Sequence, residues 1–82
     1  MVSVHPANNN TITIRIKEHS SSKGRVQILN TFGTPLIEMN YDKSEDGDRL
    51  SCDVSKLRSG LYLVKFVDKK TGFVSIKNLI IE

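Results

Sequence analysis

Cysteine, proline and aromatic residues are scarce in this chain of 82 residues: one Cys, two Pro, three Phe and two Tyr. A single cysteine, Cys52, excludes an intramolecular disulfide framework, so cysteine usage does not reveal the redox compartment. No apolar run approaches the roughly 18 residues that a membrane-spanning helix requires, which leaves a soluble domain. No N-terminal apolar stretch with a basic flank resembles a secretory leader, so the expectation is either a cytosolic chain or a module taken from a longer polypeptide. The basic residues, 12 against 9 acidic for a net charge of +3, are scattered instead of gathered in a block. Nucleic-acid binding wants a basic stripe interleaved with exposed aromatics, and that is missing.

Catalytic and metal-binding patterns are equally thin. His5 and His19 have no cysteine or carboxylate at zinc-ligand spacing. No glycine-rich phosphate loop is present, and Cys52, alternating with Leu50 and Val54, reads as a small buried hydrophobe with no histidine to activate it. The reading is of a non-enzyme without a cofactor. One acidic stretch fits a calcium loop by spacing: Asp42, Ser44, Asp46, Gly47 and Asp48, with Asp53 at the twelfth place. Against calcium, the flanks alternate as strands, Arg49 stands where an apolar residue is usual, and the closing carboxylate is Asp instead of Glu. A glycine-bearing hairpin tip is the simpler reading of that loop.

What the chain does have is alternation. No segment carries an apolar stripe at helical spacing, whereas period two recurs throughout. In "TITIRIK", Ile12, Ile14 and Ile16 face one way and Thr11, Thr13, Arg15 and Lys17 the other. "EHSSSKG" supplies turn chemistry through its serines and Gly24, and "RVQILN" then points Val26 and Ile28 inward. "TFGTP" turns the chain at Gly33, and Pro35 opens "LIEMNY" with Ile37, Met39 and Tyr41 on the core side. "DKSEDGD" reads as a hairpin loop returning into "RLSCDV". "LYLVKFVD" is apolar on both faces, as a strand covered on both sides would be, and "DKKTG" turns into the last strand, "FVSIKNLIIE". With the weak opener "VSVH" this makes seven strands. The expectation is one all-β domain over residues 1–82, a seven-stranded immunoglobulin-like antiparallel β-sandwich, with residues 12 to 16 packed on Tyr62, Val64 and Phe66.

The stretch "DVSKLRSGLYLVKF" carries a local design of its own. Asp53 or Ser55 can accept from the N–H groups of "SKL", Leu57 plugs the core and Gly60 permits re-entry into a strand. Tyr62 can return its hydroxyl to the corner, the arrangement called a tyrosine corner in immunoglobulin-like folds.

The order "HPANNNTITIRI", "GRVQILNTFGTPLIE", "DVSKLRSGLYLVKF" and "KNLIIE" resembles the C-terminal sorting domain (type A) of the type IX secretion system of Bacteroidota, over His5 to Glu82. "LRSGLYLVK" matches that family's Leu-x-x-Gly-x-Tyr pattern, and the last strand carries lysine followed by aliphatic residues. The family's opening aromatic-Pro-Asn-Pro motif is only partly kept, since Pro6 is followed by Ala7 and Asn8. The resemblance implies a domain that follows a covalently linked N-terminal cargo and is recognised by the outer-membrane translocon and its shuttle protein. A sortase then removes the domain and joins the cargo to an anionic lipopolysaccharide. It implies periplasmic transit followed by residence at the outer-membrane surface or outside the cell. It also implies a recognition face built from Gly60, Tyr62, Lys65, Lys77, Leu79, Ile80, Ile81 and Glu82; on physical grounds the lysines Lys65, Lys69, Lys70 and Lys77 can add charge complementarity. A strand at a sheet edge can also pair with a second copy, giving an edge-strand dimer. Two other readings stand beside it. One is an adhesion or carbohydrate-binding module using Phe32, Tyr41 and Phe73 as surface aromatics, and the other is a calcium-stabilised spacer.

Overall fold

The structure, a computed structural model, describes residues 2–6, 10–16 and 23–82. Among the described residues seven strands and one short helix follow in the order β1 (Val2–Pro6), β2 (Thr11–Ile16), β3 (Lys23–Leu29), β4 (Pro35–Asp42), α1 (Lys43–Asp46), β5 (Arg49–Asp53), β6 (Gly60–Asp68) and β7 (Val74–Ile81). They form two antiparallel sheets, ordered β1-β2-β5 and β4-β3-β6-β7. The sandwich expected from the alternation is therefore present. Its shortest dimension, 16 Å, fits two layers about 10 Å apart with side chains on their outer faces.

The inward residues are those that period two selects. Ile12, Ile14 and Ile16 from one sheet join Val26, Ile28, Val64, Phe66 and Leu79 from the other in one buried cluster, with Tyr41, Cys52 and Val54. Burying an isoleucine or phenylalanine stabilises by roughly 1.5–3 kcal/mol, so these side chains set the mutual position of the sheets. Leu57 and Tyr62 pack against the cluster from its rim.

Three local expectations give way to longer-range packing. The acidic segment after β4 is a crossover between sheets, not a hairpin, because β4 pairs with β3 whereas β5 pairs with β2. Its geometry is set from inside: Tyr41 is buried and its hydroxyl donates to the Gly47 carbonyl, while Asp42 caps α1. The turn therefore delivers the chain to the opposite layer. The strand β6 is covered on one face only. Val64 and Phe66 are fully buried, but Leu61, Leu63, Lys65 and Val67 lie on the outer side and keep solvent contact, because a two-layer sandwich supplies no third layer.

Gly24 lies inside β3, opposite both Tyr41 and Asp68, not in a turn. The ring of Phe66 occupies the space a side chain there would need: an added Cβ would stand 2.6 Å from the Phe66 Cζ and 2.8 Å from the Val67 carbonyl oxygen. Tyr41 meets the same ring edge to face, with centroids 6.0 Å apart and planes at 79°. Aromatic pairs in this geometry gain about 0.5–1.5 kcal/mol beyond their buried area. Gly24→Ala should therefore cost about 1–3 kcal/mol by overpacking, read as a melting temperature at least ~4 °C lower. An unchanged melting temperature would refute this packing.

Candidate functional site

The segment between β5 and β6 builds a corner from short-range hydrogen bonds. Asp53 Oδ1 accepts from the Ser55 N–H at 2.8 Å, and this bond, with a second from the Ser55 hydroxyl, holds the Asp53 carboxyl below its ordinary pKa. The Leu57 N–H donates to the Val54 carbonyl at 3.0 Å, and Val54 N–H reaches back to Asn10 at 2.7 Å. Gly60 has φ +149°, a conformation that side chains rarely tolerate. The Tyr62 hydroxyl then donates to the Arg58 carbonyl at 2.7 Å. The tyrosine corner expected from sequence is formed, and it fixes where β6 begins.

From that corner β6 runs through the middle of its sheet and returns as β7. Asp68, almost fully buried, organises the turn: its Oδ1 accepts from Lys70 N–H at 2.8 Å. Its backbone bonds Phe73 and Gly72 at 2.9 and 2.8 Å. Among the described residues no strand bonds β7 on its other side, though β1 of the facing sheet comes close to it. This makes β7 an edge strand.

Register separates the residues of the expected recognition face. Gly60 pairs with Ile81, Tyr62 with Leu79 and Val64 with Lys77, all on the inward parity. Leu79 is accordingly 5 % exposed, while Lys77 and Ile81 are half-buried. Lys65 and Ile80 belong to the outer parity, with Lys65 opposite Ile76 and Ile80 opposite Leu61. Ile80 is 70 % exposed and Ile76 52 %. Glu82 follows β7 and is exposed. The eight residues thus share one hairpin but two faces. Leu61, Val74 and Ile76, which complete the outer apolar stripe, were not singled out by sequence. Their signal was present in "FVSIKNLIIE", where apolar residues occupy both parities.

The aromatics of the alternative glycan-binding reading do not make a platform. Tyr41 is 2 % exposed, in the core. Phe32 is 93 % exposed in the β3–β4 turn, and Phe73 is exposed in the β6–β7 turn just before β7. The antiparallel register, with Leu29 beside Leu63 and Gly24 beside Asp68, places these two turns at opposite ends of the sheet.

The carboxylates of the calcium-loop spacing have other work. Asp42 Oδ1 accepts from the Ser44 N–H at 3.0 Å and its hydroxyl at 2.7 Å; the hydroxyl bond, then the backbone bond, lowers the Asp42 pKa. Asp46 accepts from the Asp42 N–H at 3.0 Å. Asp48 pairs with Arg15 at 3.4 Å and Arg49 at 3.8 Å, while Asp53 belongs to the corner. Among the described residues no group of three or more His, Cys, Asp or Glu side chains converges on a metal-sized site. His5 has no described side chain and His19 lies outside the described residues. Cys52 is buried with a free thiol, and burial raises its pKa, as a packed hydrophobe requires. No helix among the described residues is long and apolar enough to cross a membrane.

The profile of the secretion system C-terminal sorting domain family matches residues 5–82. The chain belongs to that family. It is thereby a type IX secretion sorting domain, of the kind found in Bacteroidota, and membership implies an upstream cargo and export to the outer-membrane surface or beyond. A family of sorting signals is not a family of enzymes. Comparison with curated proteins gives no match.

Two predictions follow from this geometry. Tyr62→Phe removes the bond to Arg58 and should cost about 1 kcal/mol, a drop in melting temperature of roughly 4–8 °C; equal melting of the two proteins would show that the corner does not depend on that hydroxyl. Asp42→Ala should lower the melting temperature equally with and without a calcium chelator, and chelator should leave the parent protein unchanged. Because the folded Asp42 pKa is lowered, its contribution is present above the ordinary carboxylate range and is lost as pH falls through the folded value. A chelator-induced drop in the parent that Asp42→Ala abolishes would reinstate calcium.

Proposed function

We propose that this sorting domain works by presenting the β6–β7 hairpin to the outer-membrane translocon and its shuttle protein. The single observation that supports the reading is the edge position of β7 in a domain of this family. An edge strand carries backbone N–H and C=O groups that another chain can extend, with alternating side chains supplying selectivity. Gly60 and Tyr62 set the start of the hairpin, and Leu79 and Ile81 tie β7 to the core. Lys65, Ile80 and Glu82 are the groups left to a partner, and Lys77 flanks them at the sandwich rim.

On this reading the cargo passes through the periplasm before it reaches the outer-membrane surface or the outside of the cell. Recognition precedes removal of the domain by a sortase on its N-terminal side and attachment of the cargo to anionic lipopolysaccharide. The same edge permits a dimer of the isolated domain. Lysines on an edge also protect against indiscriminate pairing, so a selective partner must add contacts beyond the backbone ladder.

A fusion of residues 1–82 behind a periplasmic reporter should reach the surface of a type IX-competent bacterium, and a fusion lacking residues 73–82 should stay in the periplasm. Because removing β7 also uncovers Val64, Ile80→Asp supplies a second variant at an exposed position. It should keep the parent's melting temperature and lose most surface display. Equal display of all three fusions would exclude the hairpin as the signal.

A further inference from the structure

We propose that the outer face of β3 and β6 holds an acidic segment of a partner polypeptide, seated on Arg25, Lys65 and Lys69 and continuing over the apolar residues of β7. The inference rests on the reading of β6–β7 as the recognised hairpin and adds the chemistry of what recognises it.

The geometry begins with register. Arg25 lies opposite Val67, so Lys65 and Lys69, two residues to either side of Val67, are its diagonal neighbours. Lys69 keeps this alignment because its N–H donates to the Lys23 carbonyl at 3.1 Å, extending the ladder. Diagonal neighbours on one face stand about 7–8 Å apart. The three cations border an open groove of about 340 Å³ with Val67 and Gln27. Among the described residues none of the three pairs with a carboxylate. On the β4 side Glu38 and Asp42 are likewise diagonal to Arg25, but Glu38 receives the Gln27 amide at 2.7 Å and Asp42 faces Lys23, while the register neighbours of Lys65 and Lys69 include no acid. Three like charges on one face repel each other, and an anionic group in the groove relieves that repulsion.

Two features choose a polypeptide over a glycan or a lipid surface. Val74 and Ile76 stand directly across from Val67 and Lys65, so the cationic groove passes without a break into exposed aliphatic side chains. Beyond them the open edge of β7 presents backbone donors and acceptors, which only another peptide backbone matches along its length. A strand with acidic and aliphatic side chains satisfies all three demands, and charge complementarity gives it selectivity over neutral strands.

The test is a titration of the isotope-labelled domain, followed by NMR, with a synthetic peptide alternating Glu and Val. Controls are the same peptide with Gln for Glu, heparin, and phosphatidylglycerol vesicles. The Glu peptide should shift the signals of Arg25, Gln27, Lys65, Lys69 and Ile76, and bind about tenfold more tightly than its Gln counterpart. Added salt should weaken that binding, and so should the combined Arg25→Gln, Lys65→Gln and Lys69→Gln substitutions, by about tenfold at an unchanged melting temperature. Dispersed or absent shifts, equal binding of the Gln peptide, or tighter binding of heparin or vesicles would overturn the proposal; the salt series decides the matter even if the triple variant folds poorly. Export of the parent fusion reports on sorting separately. A failed titration with intact export removes the acidic partner and leaves the sorting signal, whereas localised binding without export does the reverse.

Discussion

Among the described residues strand β7 is bonded to β6 on one side and to no strand on the other, and the proposed partner surface depends on that asymmetry. The pairing with β6 sends Leu79 into the core while Ile80, one residue later, stands in solvent. The inward contacts hold the strand in register, since a one-residue slip would exchange Leu79 for Ile80 and bury the wrong set. The outward residues then keep a defined position without contributing to the core. An edge of this kind combines fixed geometry with unsatisfied pairing capacity.

The rest of the sandwich serves to place that hairpin. The Asp53 and Tyr62 hydrogen bonds determine where β6 enters, Asp68 shapes its return, and the Phe66 ring over Gly24 locks β6 against β3. These are three separate constraints on one strand, each formed by residues that are not themselves part of the exposed stripe. Substitutions at the outer positions of β6 and β7 therefore leave the fold's anchors intact and test the proposed recognition apart from folding, whereas substitutions at the anchors disturb the fold itself. On the reading proposed above for this member of the sorting-domain family, that division lets the hairpin be held in place while its outer residues stay uncovered.

Much of this was legible in the amino-acid order because it is local. Period two in residues 11–16 and 25–28 identified the inward isoleucines and Val26, and the corner at residues 53–62 was readable from Asp53, Gly60 and Tyr62, whose partners lie within a few residues. Features decided across the chain were not legible. Gly24 looks like turn chemistry beside three serines, and only the distant Phe66 ring makes it a strand residue. The partner of β4 depends on which layer receives Leu50 and Cys52, so the acidic crossover resembled a hairpin. At the proposed recognition surface, Lys65 and Lys77 read alike as strand lysines, and only the β6–β7 register shows that they lie on opposite faces.

The most direct measurement of the central claim is amide hydrogen exchange along residues 74–81 of the isolated domain. An edge strand pairs only every second N–H with its neighbour, so alternate amides should be protected by β6 and the intervening ones should exchange rapidly, while both sides of β6 itself stay protected. Uniform protection along residues 74–81 would mean that β7 is covered on both sides, and a hairpin so enclosed cannot be the surface that a partner reads.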